Sequence, residues 1–152
     1  MISMTRQSGY SVFEILIVIA IVAILVSIAV PSYEIYVDKK NLATAKKDIL
    51  ALQTGIDGFY VTNNRFPDDL AEISMDDRID PWGNPYFYVN LGNAKNKGKV
   101  RKDKNLTPVN SDYDLYSAGK DGETRAPFTA AFAYDDIVRC NNGKFIGYAK
   151  DY

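Results

Sequence analysis

The chain has 152 residues, 47% of them hydrophobic, with 18 basic and 19 acidic side chains and a net charge of −1. This length is typical of a single domain, and the balanced charge gives no reason to expect nucleic-acid binding. The absence of histidine excludes imidazole-based triads and zinc sites of the HExxH kind, and the single cysteine, Cys140, excludes an intramolecular disulfide.

The first element is an apolar segment, residues 15–30, interrupted only by Ser27. Together with Val12 and Phe13 it has about the 20 residues that a helix needs to cross a bilayer. Pro31 follows the segment and removes one backbone donor. Proline at this place predicts a kink in a continuing helix rather than its end.

Glu14 directly precedes the apolar segment, and it is the only charged residue between Arg6 and that segment. An acid within a membrane span costs a few kcal/mol, so such a residue is a functional hypothesis. The alternative is structural, because the helix dipole favours an anion near the helix start by about 0.3–1 kcal/mol and a long side chain can reach the interface. The residues alone leave both interpretations open.

The spacing around this acid resembles the prepilin signal of type IV pilins and type II secretion pseudopilins. A hydrophilic leader, residues 1–9, ends at Gly9; counted from Tyr10, Glu14 is the fifth residue and Pro31 the twenty-second. The resemblance implies that a prepilin peptidase cuts after Gly9 and that the new N-terminal residue is N-methylated. Tyr10 stands where the family usually has phenylalanine.

Two other interpretations of the N-terminus are open. An ordinary secretory signal would use Arg6 as its basic region and release a soluble protein that begins at Val30, but Glu14 between the basic and apolar regions is unusual for such a signal. The second interpretation is a signal anchor that is not processed. A domain of this size can be translocated largely regardless of flanking charge, so the orientation that such an anchor needs is permitted.

After Pro31 the apolar residues recur at spacings of three and four, which marks one face of a helix. The pattern predicts one long helix over residues 10–60, with its membrane and assembly segment at 10–31. The second part of the helix must place its apolar stripe on the C-terminal part of the chain, residues 61–152. The stripe consists of Leu42, Ala45, Ile49, Leu52, Ile56 and Phe59.

The C-terminal part predicts an α+β, pilin-like arrangement in which the long kinked helix packs on a small antiparallel sheet of about three strands. A short helical turn is expected at residues 68–73. The lysine-rich loop 90–110, with its basic cluster at 95–104, predicts a solvated surface. The expected strands are residues 86–89, 113–117 and 144–148.

Three phrases in this part resemble the major pseudopilin of type II secretion: D-P-W-G-N-P-Y-F-Y (80–88), D-L-Y-S-A-G-K-D-G (114–122) and D-D-I (135–137). The resemblance implies a structural subunit, not an enzyme, that polymerises into a periplasm-spanning pseudopilus for protein export. It implies a single pass through the bacterial inner membrane with a periplasmic C-terminal domain. The implied partners are minor pseudopilins, an inner-membrane platform and an assembly ATPase. A type IV pilin for adhesion or motility is the alternative.

The same resemblance implies a calcium ion held by Asp121, Asp136, the carbonyl of Leu115 and Ser117. Calcium takes 6–8 oxygen ligands, and residues 112–136 are rich in acids without competing nitrogen or sulfur ligands. An ion would also brace a small core that lacks a disulfide. In the other interpretation the D-G dipeptide is only a turn and the acids are solvated.

The N-terminal residues suggest an assembly mechanism. Cleavage after Gly9 would leave an amine on Tyr10, which can meet Glu14 of a neighbouring subunit in a staggered helical assembly. Removing one partner of a buried charge pair costs about 3–5 kcal/mol, so this pairing would set the axial register. For Trp82 we expect a packing role, and for Cys140 an inert thiol.

Overall fold

The computed structural model describes residues 9–93, 100–104 and 107–152. Contacts divide the chain into two compact units, Met1–Lys39 and Lys40–Tyr152. A single helix, α1 (Val12–Asn63), contributes residues to both units. It continues through Pro31 and ends at Asn63 rather than near Tyr60, so the prediction that the proline does not end the helix is confirmed.

The second unit is an antiparallel sheet with part of α1 packed on it, which confirms the α+β prediction. The strands follow one another in the order β1-β2-β3-β4. Short 3-10 helices precede β1 at Leu70–Ile73, lie before β3 at Ala131–Ala133 and follow β4 at Ala149–Asp151. The strands are β1 (Tyr86–Asn90), β2 (Tyr113–Ser117), β3 (Ile137–Cys140) and β4 (Phe145–Tyr148).

The prediction of about three strands is wrong, because β3 adds a fourth. β3 pairs with both β2 and β4, for example through Ile137 opposite Ser117 and Tyr148. All four of its residues are buried, including Arg139. A short run with an internal charge lacks the polar alternation that identifies a half-exposed strand, which is why the pattern did not indicate it.

The apolar stripe of α1 forms the core between the helix and the sheet. Ala45, Ile49, Leu52 and Ile56 are completely buried, as the spacing of three and four predicts. On the sheet side this core includes Tyr86, Tyr113, Leu115 and Ile137, which come from three strands.

Two tyrosine hydroxyls also join the sheet to the helix. Tyr86 donates to Asp48 at 3.0 Å, and Tyr113 donates to Asp57 at 3.1 Å. Each hydroxyl lies at the edge of the apolar contact, where its ring is buried and its oxygen finds a polar partner on α1. The bonds fix how the sheet lies along the helix face, since both partners are rigid elements.

A second core covers the opposite face of the sheet. Successive side chains of a strand point to opposite faces, so Ile137 faces α1 while the next residue, Val138, belongs to the second core. No strand or long helix covers this face among the described residues; segments of loop do so. Its buried members are Val109, Phe128, Val138, Cys140 and Ala149.

Arg139 is a buried cation on the α1 side of the sheet. Its guanidinium donates to both carboxylate oxygens of Asp112, at 3.0 and 2.7 Å, and its Nε donates to Gln53 of α1 at 3.0 Å. The guanidinium carbon lies 4.0 Å from the centre of the Tyr113 ring. The side chain therefore connects β3, β2, the residue before β2 and the helix, and burial of its charge is offset by a two-point ion pair.

Replacement of Leu52 tests the helix–sheet core. Leu52→Ala removes a completely buried side chain, so we expect the free energy of unfolding to fall by about 2–5 kcal/mol. Leu50→Ala is the matched control, because Leu50 lies on the same helix with half of its surface exposed; its effect should stay within about 0.5 kcal/mol. Urea unfolding of the full chain in mild detergent, followed by Trp82 fluorescence, measures both. Equal losses in the two variants would contradict the assigned helix face.

Candidate functional site

The chain enters α1 through an exposed, non-helical stretch. Gly9 and Tyr10 are solvent-exposed and precede the first helical residue, Val12. None of the described residues has an atom within 4 Å of the position that a Cβ on Gly9 would take. The peptide bond between Gly9 and Tyr10, where the sequence predicts cleavage, therefore lies in exposed, non-helical chain.

Glu14 and Ser11 form a reciprocal capping box at the start of α1. The Glu14 amide donates to the Ser11 hydroxyl at 3.2 Å, and the Ser11 amide donates to a Glu14 carboxylate oxygen at 3.3 Å. Two amides that the helix itself leaves without partners are thereby satisfied. Ser11 is not among the residues predicted above, although serine three places before glutamate is a known signal of a helix start.

The following residues expose their apolar side chains on all sides of the helix. Exposure of the large side chains in residues 15–30 ranges from 45% at Ile17 to 63% at Ile28. An 18-residue window of α1 has a mean hydropathy of 3.1, and none of it is buried within the protein. The hydroxyl of Ser27 donates to the helix carbonyl of Ile24 at 2.7 Å, so even this polar side chain is satisfied locally. By length and composition this segment can cross a bilayer.

The predicted calcium ligands in the acidic loops have other partners. Asp136 is completely buried and accepts from Arg101 and, at 2.6 Å, from the hydroxyl of Thr124. Asp121 is exposed and accepts from the amide of Glu123 at 2.8 Å. Burial raises the pKa of Asp136 to about 6, against the opposing effect of Thr124 and Arg101.

The other two predicted ligands lie in β2. Ser117 donates to Asp80 and accepts from the amide of Gly119 at 3.0 Å, and Leu115 pairs with Tyr88 of β1. Among the described ranges, no group of three or more acids, cysteines or histidines converges. With a guanidinium on Asp136, this donor set does not fit calcium, which needs 6–8 oxygens. Calcium binding itself is untested by these contacts, and the arginine on Asp136 is the observation that argues against it.

The turn beside Asp121 is shaped by a second acid. Asp135 accepts from the amides of Lys120 and Asp121 at 2.7 and 3.0 Å. Gly119 has a φ of +67°, and a Cβ there would lie 2.3 Å from the Asp135 carbonyl oxygen. The Asp135 backbone lies so close to Gly119 that only glycine fits there. Asp135 therefore organises the turn both by this close approach and by the two amides that its carboxylate accepts from.

Arg101 is a functional candidate that the sequence does not reveal. The lysine-rich loop predicts solvated cations, but Arg101 is only 3% exposed, and for this residue the prediction is wrong. Lys102 and Lys104 are exposed, as expected. The part of the basic cluster at residues 95–99 lies outside the described residues.

Cys140 lies in the second core with no exposed surface. Burial raises the pKa of its thiol to about 12. A thiol with so high a pKa is almost entirely protonated at neutral pH, and the thiolate is the reactive form. The environment agrees with the inert role expected from the sequence.

Comparison with known proteins gives related chains of similar length. The pattern described as "Prokaryotic N-terminal methylation motif" matches residues 4–30. The type II secretion system core protein G of Aeromonas hydrophila is 30% identical over 141 residues, covering 78% of this chain and 86% of that protein. The core protein G of Escherichia coli (strain K12) is 29% identical over 139 residues, covering 78% and 85%. That of Klebsiella pneumoniae is 29% identical over 145 residues, covering 93% and 99%.

No solved structure matches the chain. The Klebsiella pneumoniae relative covers 93% of the chain, which includes both the apolar N-terminal segment and most of the C-terminal sheet, and the methylation motif covers Gly9, Tyr10 and Glu14. Together with the exposed apolar helix and the four-stranded sheet, these matches establish that the chain belongs to the type II secretion system core protein G family, the major pseudopilins.

Proposed function

We propose that the chain is a structural subunit, not an enzyme, that polymerises through its N-terminal helix into a periplasm-spanning pseudopilus and so drives protein export. The observation that carries this proposal is the apolar surface of residues 15–30, exposed on every side of the helix and headed by Glu14. The second unit has its own core, so these side chains are not needed for its folding.

The exposed side chains require an apolar environment. Burying one large aliphatic side chain gains about 1.5–3 kcal/mol, so a helix with this many exposed is strongly unfavourable in water. Before assembly the bacterial inner membrane supplies that environment, with a single pass and the C-terminal unit in the periplasm. In the filament, the same segments of neighbouring subunits replace the lipid.

Processing prepares the subunit for assembly. A prepilin peptidase cuts between Gly9 and Tyr10, which are exposed and lie outside the helix. The cut removes the hydrophilic leader and leaves an amine on Tyr10, which is N-methylated. The new chain end then lies next to the capping box at Ser11, at the head of the apolar segment.

Glu14 gives the assembly its register. Its bond to the Ser11 amide is made to a neutral partner, which does not cancel the negative charge. In the apolar core of a filament, a cation is needed to neutralise that charge, and the Tyr10 amine of a neighbouring subunit is suitably placed at a matching depth. The pairing is heterologous, so its repetition produces an open helical filament rather than a closed ring.

The partners follow from this role. Other copies of the chain are the main partner, and minor pseudopilins, an inner-membrane platform and an assembly ATPase initiate and drive the polymer. The relatives are core proteins of type II secretion systems, which supports secretion as the purpose of the filament. A type IV pilin would use the same helix chemistry in a surface pilus.

The mature N-terminus tests the processing step. We expect sequencing and mass spectrometry of the protein from its native membrane to give Tyr10 as the first residue, heavier by one methyl group. A first residue of Val30 would indicate an ordinary secretory signal, and an intact Met1 an unprocessed anchor. Either result would remove the amine on which the proposed assembly depends.

Two substitutions separate the charge of Glu14 from its capping role. Glu14→Gln keeps an oxygen for the Ser11 amide, since glutamine also completes a capping box, but it removes the negative charge. We expect assembled filament to fall by at least about a hundredfold, because an unpaired buried amine costs about 3–5 kcal/mol. Ser11→Ala removes the cap at a cost of about 1 kcal/mol and keeps the charge, so filaments should persist within about tenfold.

Sedimentation and electron microscopy of sheared filaments measure both variants, after N-terminal sequencing has verified cleavage. The charge-pairing proposal is contradicted when Glu14→Gln assembles normally and Ser11→Ala does not, since Glu14 would then act only through the helix cap.

Deletion of the gene in the native host tests the purpose of the filament. We expect exported proteins to accumulate in the periplasm, and plasmid-borne wild-type protein to restore their release. Intact export with loss of long surface fibres would instead assign the chain to a type IV pilus.

A further inference from the structure

The side chain of Arg101 is a cation enclosed in the second core of the sheet. It is 3% exposed, and its guanidinium carbon lies 4.2 Å from the centre of the Tyr116 ring and 5.1 Å from that of Phe128. Tyr116 belongs to β2, whereas Phe128 belongs to the loop before β3. The two ring contacts place a permanent positive charge between the sheet and the loop that covers it.

The counter-charge is Asp136, the residue before β3. One Arg101 nitrogen donates to a carboxylate oxygen of Asp136, and a second donates to the Thr124 hydroxyl at 2.5 Å. Thr124 in turn donates to the same Asp136 oxygen at 2.6 Å. Arginine, threonine and aspartate thus form a closed hydrogen-bonded triangle, in which the two charges are paired away from water. Within the described part of the chain, the other carboxylate oxygen of Asp136, Oδ1, and the Nε of Arg101 are buried without a hydrogen-bond partner.

Backbone contacts hold the arginine in this position. The Arg101 amide donates to the buried Asp114 carboxylate at 2.7 Å. The next residue, Lys102, donates to the carbonyl of Ala126 at 3.0 Å and accepts from the amide of Phe128 at 2.9 Å. The segment around Arg101 is therefore joined both to β2 and to loop 124–128, in addition to its side-chain contacts.

The Arg101 guanidinium and a calcium ion would compete for the Asp136 carboxylate. The family resemblance makes Asp136 a calcium ligand that braces the C-terminal loops, and in this chain the same carboxylate is bound by a guanidinium. A divalent cation on that carboxylate, even on its unpartnered oxygen Oδ1, would lie close to a fixed positive charge. We propose that the Arg101 guanidinium is the structural cation of this domain, so that its C-terminal loops are braced without calcium.

The first test is the melting temperature of the full chain in mild detergent, measured in EGTA, in about 10 mM CaCl₂ and in about 10 mM MgCl₂. We expect the same value in all three solutions. An extracellular-type calcium site with a dissociation constant of about 0.1 mM would raise the melting temperature by roughly 10 °C in CaCl₂ alone. Such a calcium-specific rise would overturn the proposal.

The second test is a double-mutant cycle in EGTA. Arg101→Met leaves the buried Asp136 carboxylate without a counter-charge. Asp136→Asn leaves the buried Arg101 guanidinium without a counter-charge. We expect each to lower the melting temperature by more than about 10 °C, with the double variant losing clearly less than the sum. Additive losses would overturn the proposal, since the two charges would not then depend on each other.

Lys102→Gln is the matched control, because Lys102 is the adjacent cation in the same segment but is exposed. Its melting temperature should stay within about 2 °C of the parent. A loss as large as that of Arg101→Met would assign the effect to the net charge of the segment, against the proposal. If a single variant fails to fold, the comparison of EGTA with CaCl₂ on the unmodified chain still decides the question.

Discussion

Burial of one apolar stripe of α1 is the constraint on which the C-terminal unit depends. Ala45, Ile49, Leu52 and Ile56 are completely buried in the core between the helix and one face of the sheet. A strand alternates its side chains between two faces, so the residues that alternate with that core must be buried by something else. Loops between the strands provide this cover and form the second core. Loop backbone carries polar groups that need partners, and this requirement explains why acids and amides lie beneath the loops.

Among the described residues, each face of the sheet has an arginine–aspartate pair whose arginine is buried. Arg139 and Asp112 join the helix side, and Arg101 and Asp136 join the loop side. Buried ion pairs contribute little compared with apolar residues of the same volume, but loss of one partner costs about 3–5 kcal/mol. The pairs therefore act mainly by penalising alternative arrangements of the loops. In a chain with a single cysteine, they supply the long-range connections that a disulfide would otherwise provide.

Local patterns in the sequence predict most of the fold, because the helix stripe, the aromatic strands and the prepilin spacing each lie within a short window. β3 escapes prediction because Arg139 interrupts its apolar run, and the partner that makes the charge tolerable, Asp112, lies 27 residues away. Arg101 and Asp136 are 35 residues apart, and nothing near Arg101 distinguishes it from the solvated lysines of its loop. Ser11 differs from both, since its three-residue spacing to Glu14 is a local signal of a helix start.

The capping box and the proposed charge pair at Glu14 are compatible. A carboxylate offers about four acceptor positions, and the Ser11 amide uses one of them. The cap also orients the carboxylate at the head of the helix, close to Tyr10, where the chain end of a processed neighbour has to arrive. A neutral amide satisfies a hydrogen bond without cancelling the charge, so the electrostatic cost of the acid in an apolar filament remains until an amine arrives. In the proposed assembly, the helix cap thus orients the acid in the single subunit, and pairing with the amine of a neighbour removes the cost of its charge.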